Sequence, residues 1–167
     1  MINLNLSSIS HGKVGSQESV DLDIAHVAVG TLVLDQLQGT LHLMRVDDGV
    51  TVTGVLKARA KTECTRCLTP FFEPITIELE DTLSLPGAEI TEERPVRISG
   101  DGWADFAPLV REYTWLGLPP SPICSPDCLG ICPHCGENRN LGECACGEAD
   151  KIDPRWEVLR ELVEDSD

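Results

Sequence analysis

The chain has 167 residues, with 13 Lys and Arg against 28 Asp and Glu, so its formal net charge is −15. This acidity excludes a general affinity for phosphate backbones, and a nucleic-acid contact would need a local basic patch. No apolar stretch is long enough to span a bilayer, and the first residues lack the basic start and apolar core of a signal peptide; we therefore expect a cytoplasmic protein without membrane contact.

Alternating apolar residues predict strands in the first third of the chain. Residues 2–6 and residues 20–24 alternate and predict two strands around a polar loop. Residues 25–34 are too apolar throughout to show a period. A hairpin follows, because alternation over residues 37–43 leads to a turn at Asp47-Asp48-Gly49 and then to a further strand.

The second strand of this hairpin, over residues 50–61, has two distinct faces. One face is apolar and the other polar, the apolar set being Val50, Val52, Leu56, Ala58 and Ala60 and the polar set Thr51, Thr53, Lys57, Arg59 and Lys61. Side chains alternate across a strand, so the first set faces a core. A third strand over residues 75–80 alternates in the same way. Together these strands predict an antiparallel meander that curls towards a barrel.

Helices are predicted only downstream of a loop over residues 84–104, in which Val96 and Ile98 can add a short strand. A helix near residues 105–117 has Asp105 as a cap and Pro108 in its first turn. Its apolar stripe at helical spacing consists of Phe106, Leu109, Val110, Tyr113 and Leu116 or Gly117. A last helix is predicted to begin at Asp153-Pro154.

The expected fold is α+β: an antiparallel barrel-like sheet, one or two packed helices and a C-terminal zinc-knuckle segment. We expect an antiparallel β domain over residues 1–120, which includes the helix near 105–117. Residues 121–167 would form a cysteine-rich zinc-binding segment with the last helix.

Eight cysteines carry the clearest chemical signal. Two form a CxxC motif between predicted strands and six lie within a short downstream stretch, namely Cys64, Cys67, Cys124, Cys128, Cys132, Cys135, Cys144 and Cys146. Closely spaced thiols beside glycines are typical of soft divalent metal sites, and in a reducing compartment metal is favoured over disulfides. We predict that all eight bind one or two structural zinc ions.

Eight ligands divide most simply into two tetrahedral sites. Cys132 and Cys135 with Cys144 and Cys146 would make a local site, in which Gly136 permits a left-handed turn. The remaining four would tie the strand connection to the end of the helix by closing a loop of roughly 60 residues. A mixed arrangement, with Cys128 in the place of Cys124, stays open.

Three other interpretations of the cysteines are disfavoured. The spacing of Cys128, Cys132 and Cys135 matches radical-SAM iron–sulfur enzymes, but the residues after Cys135 are too few to build their barrel. Cys64 and Cys67 lack the following helix that activates a redox dithiol. A catalytic zinc would keep an open position, whereas all eight thiols fit closed sites. We expect neither an enzyme nor a small-molecule substrate.

One basic cluster opposes the overall charge. Lys57, Arg59 and Lys61 lie on one face of a strand, and Arg66 follows inside the CxxC turn, with Glu63 the one acid nearby. These four can form an ordinary solvated strand face. Alternatively they form a candidate nucleic-acid-binding ribbon that meets RNA phosphate or an acidic protein surface.

Several blocks of this sequence resemble the YceD family in order and spacing. They are ECTRCLTPF at 63–71, PLVRE at 108–112, LPPSPIC at 118–124, CLGICPHCGENRN at 128–140, CAC at 144–146 and DPR at 153–155. The resemblance covers about residues 50–163, and Arg139 departs from it where the family more often has Leu.

The resemblance implies a ribosome-biogenesis factor needed for accumulation of large-subunit ribosomal RNA, rather than an enzyme. Its expected partner is large-subunit precursor rRNA or a large-subunit ribosomal protein. The alternative is an acidic protein-binding module that holds a basic ribosomal protein before assembly.

Overall fold

The computed structural model describes residues 1–88, 96–142, 144 and 146. The elements in chain order are β1 (Asn3–Asn5), α1 (Ser7–Ser10), β2 (Gln17–Val29), β3 (Leu32–Val46), β4 (Gly49–Glu63), β5 (Pro70–Ser84), β6 (Trp103–Asp105) and α2 (Ala107–Gly117). The last helix predicted from Asp153 lies outside the described residues. No helix in the described ranges is long and apolar enough to cross a bilayer.

Four long strands form one antiparallel sheet in the order β2-β3-β4-β5, and β1 pairs with β6 separately. The prediction of an antiparallel sheet with packed helices is confirmed, but its barrel-like part is not, because the described strands form no closed barrel. Within the described residues β2 and β5 do not pair, and α2 contacts both of these edge strands. Helix α2 therefore covers part of the apolar face, and Ile2, Leu6 and Ile9 from the N-terminal segment join the same core.

The two-faced pattern of β4 and β5 is confirmed. In β4 the predicted apolar set is buried, including Val50, Val52 and Leu56, while Lys57 and its outward neighbours are exposed. In β5 the buried residues alternate with exposed Thr and Glu, the buried set being Ile75, Ile77, Leu79 and Leu83. One sheet face thus forms the core and the other meets solvent.

Residues 25–34 are followed directly by a bulge in β3, which changes the side of the sheet that the apolar residues face. Leu34 and Leu37 are both fully buried although they are three residues apart, because the register against β4 shifts between Asp35 and Gln38. Gln36 lies in the left-handed region, with φ of 54°. One extra residue in β3 thus reverses the side of the sheet on which apolar residues fall. Residues 25–34 themselves contain the turn between β2 and β3 at Gly30, which interrupts the alternation of side chains.

Helix α2 begins two residues later than predicted. The Asp105 carboxylate accepts hydrogen bonds from the backbone N–H groups of Ala107 (2.9 Å) and Ile2 (3.1 Å), which tie the helix start to the N-terminal strand. The sequence left the end of the buried stripe open between Leu116 and Gly117. Leu116 is 74% exposed, whereas a Cβ at Gly117 would lie 2.9 Å from Thr76 O on β5, and Thr114 is buried as well. Since each residue rotates by about 100°, a face that includes Val110 and Thr114 leaves Leu116 to one side.

The predicted loop after β5 does carry a short ladder. The backbone N–H of Ser84 donates to Val96 O (3.0 Å), and that of Ile98 donates to Ser84 O (2.9 Å). Both Val96 and Ile98 are buried against the core.

Candidate metal centres

The structure gathers the eight thiols into two groups of four. Sulfur atoms of Cys64, Cys67, Cys124 and Cys128 lie within 4.8 Å of one another, and we call this group site 1. The same limit holds for the sulfurs of a second group, site 2, made of Cys132, Cys135, Cys144 and Cys146. This grouping is the same as the simplest division of the ligands, and the mixed arrangement is not observed.

The sulfur spacing fits a shared metal ion rather than disulfides. Sγ atoms are 3.8 Å apart between Cys64 and Cys128, and 3.6 Å apart between Cys67 and Cys124. A disulfide needs about 2.05 Å. A tetrahedral ion with metal–sulfur bonds of about 2.3 Å would hold its sulfurs about 3.8 Å apart. Four protein thiolates would complete such a shell, which is the arrangement of a closed structural site.

The first half of site 1 is a tight turn after β4. The backbone N–H of Leu68 donates to Cys64 O (2.9 Å), and that of Cys64 donates to Thr69 O (3.0 Å). To close this turn Leu68 adopts a left-handed φ of 59°, although its side chain is 59% exposed. A leucine in that conformation is unusual and marks a turn whose shape is imposed by its surroundings.

The first half of site 2 repeats this turn almost bond for bond. The backbone N–H of Gly136 donates to Cys132 O (2.9 Å), and that of Cys132 donates to Glu137 O (2.8 Å). Gly136 has the predicted left-handed conformation, with φ of 77°. His134 is exposed, and its backbone N–H lies 3.5 Å from Cys132 Sγ. Both turns therefore aim two sulfurs at one point.

Site 1 joins the sheet to the segment after α2. Thr65 donates both its backbone N–H (2.9 Å) and its hydroxyl (3.1 Å) to Pro122 O. Cys64, Cys67 and Cys128 are buried, with Phe71 and Ile123 packed against them. The site thus forms a small second core at the end of the β4–β5 hairpin.

Hydrogen bonds within each group set the protonation of the thiols. Burial raises the pKa of Cys64, but three backbone N–H groups lower it by more, to about 6, and backbone N–H groups likewise lower the pKa of Cys132 to about 6. The side chain of Cys67 raises the pKa of Cys124 to about 12. Each group therefore holds at least one thiolate at neutral pH, whereas deprotonation of Cys124 requires a nearby cation.

The four predicted cations lie on and beside β4. Lys57, Arg59 and Lys61 are exposed on the outer face, and among the described residues neither they nor Arg66 form an ion pair. The Arg59 guanidinium lies 5.5 Å from the centre of the Phe72 ring. Arg66 donates to Cys128 O (3.3 Å), which holds its side chain against site 1.

The acidic residue that lies opposite one of these cations in the sheet is bonded to another side chain, so it does not neutralise them. Asp35 lies opposite Arg59 in the register of β3 and β4, but its carboxylate is 2.5 Å from His26 Nδ1. Lys61 lies opposite Phe72 on β5. The basic face, defined as Lys57, Arg59 and Lys61, therefore runs along β4 beside an aromatic ring and ends at the turn of site 1.

Sequence reasoning missed two residues at site 1. The Asn140 side-chain amide lies 3.4 Å from Cys128 Sγ, and the Asn138 amide donates to Thr69 Oγ1 (2.9 Å). The sequence did contain one sign of them, namely two asparagines with a single residue between them in the stretch that separates the two cysteine pairs of site 2.

Comparisons with known proteins point to one family. The family model described as large ribosomal RNA subunit accumulation protein YceD matches residues 52–163. Proteins of Mycobacterium tuberculosis and Mycobacterium bovis, both named uncharacterized, are each 33% identical over 156 residues, covering 92% of this chain and 72% of the relative. A Mycobacterium leprae protein, also named uncharacterized, is 30% identical over 127 residues, covering 74% and 57% respectively. No solved structure gives a significant match.

Proposed function

The chain belongs to the YceD family of large ribosomal RNA subunit accumulation proteins, and from this membership we propose that it is a zinc-binding, non-enzymatic ribosome-biogenesis factor that binds large-subunit precursor rRNA. The family supplies the role, and the basic face with Arg66 supports the contact. Zinc is proposed because closed sites of four thiolates at tetrahedral spacing are typical of this ion.

The basic face is suited to a phosphate backbone. Its three cations alternate with buried residues along one strand, so they point in the same direction at a spacing of about 7 Å. Phe72 offers a partly exposed ring beside Arg59 and Lys61, and an aromatic ring next to cations can stack on an unpaired base. The single observation that carries the proposal is this row of cations, which form no ion pair within the described residues, in a chain of net charge −15.

Zinc at site 1 would hold the end of the basic face in a fixed position. Site 1 lies where β4 leads into the turn that carries Arg66, so the metal would fix the end of the strand and the side chain together. No position of either site is left for a substrate when four thiolates are bound, and the chain then contributes shape and charge rather than chemistry.

Charge reversal tests the RNA contact. The triple change Lys57→Glu, Arg59→Glu and Lys61→Glu should strongly weaken binding to a large-subunit precursor RNA in a filter or anisotropy assay, while leaving a binding constant that can be measured at low salt. The salt dependence should fall by roughly two to three in the log–log slope, because about three phosphate contacts are lost.

A matched control has the same change in net charge. Lys13, Arg97 and Arg111 are exposed and lie outside the basic face, so their reversal to Glu should weaken binding only slightly through long-range repulsion. Equal loss of binding in both triple variants, or no loss in either, would contradict a local contact through β4.

A second candidate has support from the same sheet surface. Asp21 and Asp23 are exposed on β2, two strands away from the basic strand β4, and Glu78 and Glu80 are exposed on its neighbour β5. An acidic surface of this kind can hold a basic ribosomal protein before assembly. In that case reversal of these four acids to Lys would release the ribosomal protein, while reversal of the basic face would change nothing.

Native mass spectrometry tests the metal. The purified chain should carry two zinc ions, and chelation should lower its thermal midpoint. A chain with no bound metal, or with the same midpoint after chelation, would refute the structural role of zinc.

A further inference from the structure

The segment between the two cysteine pairs of site 2 contacts site 1. It follows Cys135 and precedes Cys144, and we call its described residues 137–142 the bridging segment. Instead of extending away from the molecule, it lies against Cys128 and against the β4–β5 turn. Its two ends are thus determined by site 2, whereas its middle is bonded to site 1.

Asn140 makes the direct contact with a ligand of site 1. Its side-chain Nδ2 lies 3.4 Å from Cys128 Sγ, and its Oδ1 accepts the backbone N–H of Leu129 (2.9 Å). The amide thus uses its donor on the sulfur and its acceptor on the next residue of the chain. Only a group with one donor and one acceptor can satisfy both partners at once.

Asn138 holds Asn140 in place and connects the segment to the sheet. Its Oδ1 accepts both the backbone N–H of Asn140 (3.0 Å) and the side-chain Nδ2 of Asn140 (2.8 Å). Its own amide donates to Thr69 Oγ1 (2.9 Å) at the start of the β5 hairpin arm. The two asparagines therefore form a network with Cys128 and Thr69, one residue of each half of site 1.

The backbone beneath this network is also paired. The N–H of Arg139 donates to Gly130 O (2.9 Å), and the N–H of Ile131 donates to Arg66 O (3.0 Å). Gly130 has a φ of 73°, and a Cβ there would lie 3.2 Å from Arg66 O, so glycine permits this close approach. The contact between the two sites is therefore a layer of backbone pairs with the asparagine network on top.

We propose that Asn140 is a positioning residue for metal at site 1, and that metal at site 2 tightens site 1 by fixing the ends of the bridging segment. A hydrogen bond from an amide to a thiolate stabilises the charged form of the ligand and orients it. Without metal at site 2 the bridging segment loses conformational entropy when it contacts Cys128, and this loss opposes the contact. The two sites are then coupled, and metal at either site should raise the affinity of the other by the same factor.

Zinc release kinetics test this coupling, and the inference depends on the proposed zinc binding. The zinc-loaded chain is mixed with an excess of a chromophoric chelator, and the Cys67→Ser variant identifies which phase of release belongs to site 1. Asn140→Ala and Asn140→Asp should accelerate that phase about 10- to 100-fold, as loss of a hydrogen-bond partner to a metal ligand does elsewhere. The Asp variant keeps the size and the acceptor but cannot donate, so it should release zinc at least as fast as the Ala variant.

The matched control is Arg139→Ala, because the described contact of Arg139 is through its backbone. This variant should leave both phases unchanged. In cobalt(II)-loaded protein the Asn140 variants should also move the sulfur-to-cobalt absorption of one site to lower energy, since one sulfur loses a hydrogen-bond donor. A purely structural role would not shift that absorption at an unchanged thermal midpoint.

A double-mutant cycle separates coupling from two independent effects. Cys146→Ser, which disables site 2, should accelerate release from site 1, and adding Asn140→Ala should produce little further acceleration. Fully additive effects, or a site 1 phase unchanged in the Asn140 variants, would overturn the inference while leaving zinc binding intact. Absence of zinc from the unmodified chain would instead overturn the proposed function.

Discussion

Exchanging the residues at the ends of the two cysteine turns should change stability in opposite directions. Leu68 and Gly136 occupy the same place in turns with the same backbone hydrogen bonds, and both have positive φ. The left-handed conformation is strained for leucine because of its Cβ, whereas glycine has no Cβ and adopts it freely. Leu68→Gly should therefore stabilise the metal-loaded chain, and Gly136→Leu should destabilise it.

The magnitude follows from two opposing terms. A side chain in the left-handed region costs about 1–2 kcal/mol, and glycine loses about 0.5–1 kcal/mol more conformational entropy on folding. The Leu68 side chain is 59% exposed, so its removal sacrifices little burial. A Cβ at Gly136 would meet nothing within 4 Å, so its substitution adds strain but no clash. Each change should amount to about 0.5–1 kcal/mol.

Thermal unfolding of the zinc-loaded variants provides the assay. For a chain of this size about 1 kcal/mol corresponds to roughly 2–4 °C in the midpoint. We expect a rise of a few degrees for Leu68→Gly and a similar fall for Gly136→Leu, with two zinc ions retained in both. A fall in the Leu68→Gly midpoint would refute the reasoning, because it would mean that the leucine side chain stabilises more than its backbone costs.

Three further predictions concern the metal sites and the helix. Cys67→Ser should lower the thermal midpoint more than Cys146→Ser, since site 1 closes a loop of 57 residues and site 2 a much shorter one, and equal midpoints would contradict this. Thr114→Val should raise the free energy of unfolding by about 1 kcal/mol in denaturant titrations, because the buried Thr114 hydroxyl has no hydrogen-bond partner in the described part of the chain; a loss of stability would point to a bonded hydroxyl. Zinc uptake at pH 7.5 should release fewer than four protons per ion in a weakly buffered titration, because Cys64 and Cys132, with pKa values of about 6, are already thiolates. As the pH falls through about 6 these thiolates become protonated, so the zinc affinity should drop steeply. A release of four protons per ion at pH 7.5 would contradict the lowered pKa values.

Local patterns were sufficient for much of the sheet and for half of each metal site. The alternation in residues 50–61 assigned ten residues of β4 to their faces, although not the exposed Val55, because side-chain direction in a strand has a period of two and needs no knowledge of the partner. The turn at Gly136 was equally legible, since its glycine and two cysteines are adjacent in sequence. Leu68 has the same conformation but gave no signal, because only the closed turn forces a leucine there.

Features that depend on contacts between distant residues could not be predicted from the sequence. The expectation of a barrel-like sheet was not confirmed, because nothing in a strand's own pattern tells whether a helix or another strand will cover its apolar face. The bulge at Gln36 was hidden because its effect is the register with a neighbouring strand. The choice between Leu116 and Gly117 stayed open because helical spacing alone does not determine the side of α2 that meets the sheet, which is the side of Gly117.

By itself the sequence determined that eight thiols are available for metal, that four cations cluster near one turn, and that an antiparallel sheet carries both. Spacing and alternation are local properties, so they survive without a structure. Only the tertiary structure decided which sulfurs share a centre, since Cys64 and Cys128 are 64 positions apart and lie within 3.8 Å only once the sheet and α2 have packed. It alone placed Asn140 on Cys128, because that contact exists between two separately folded turns and in neither of them alone.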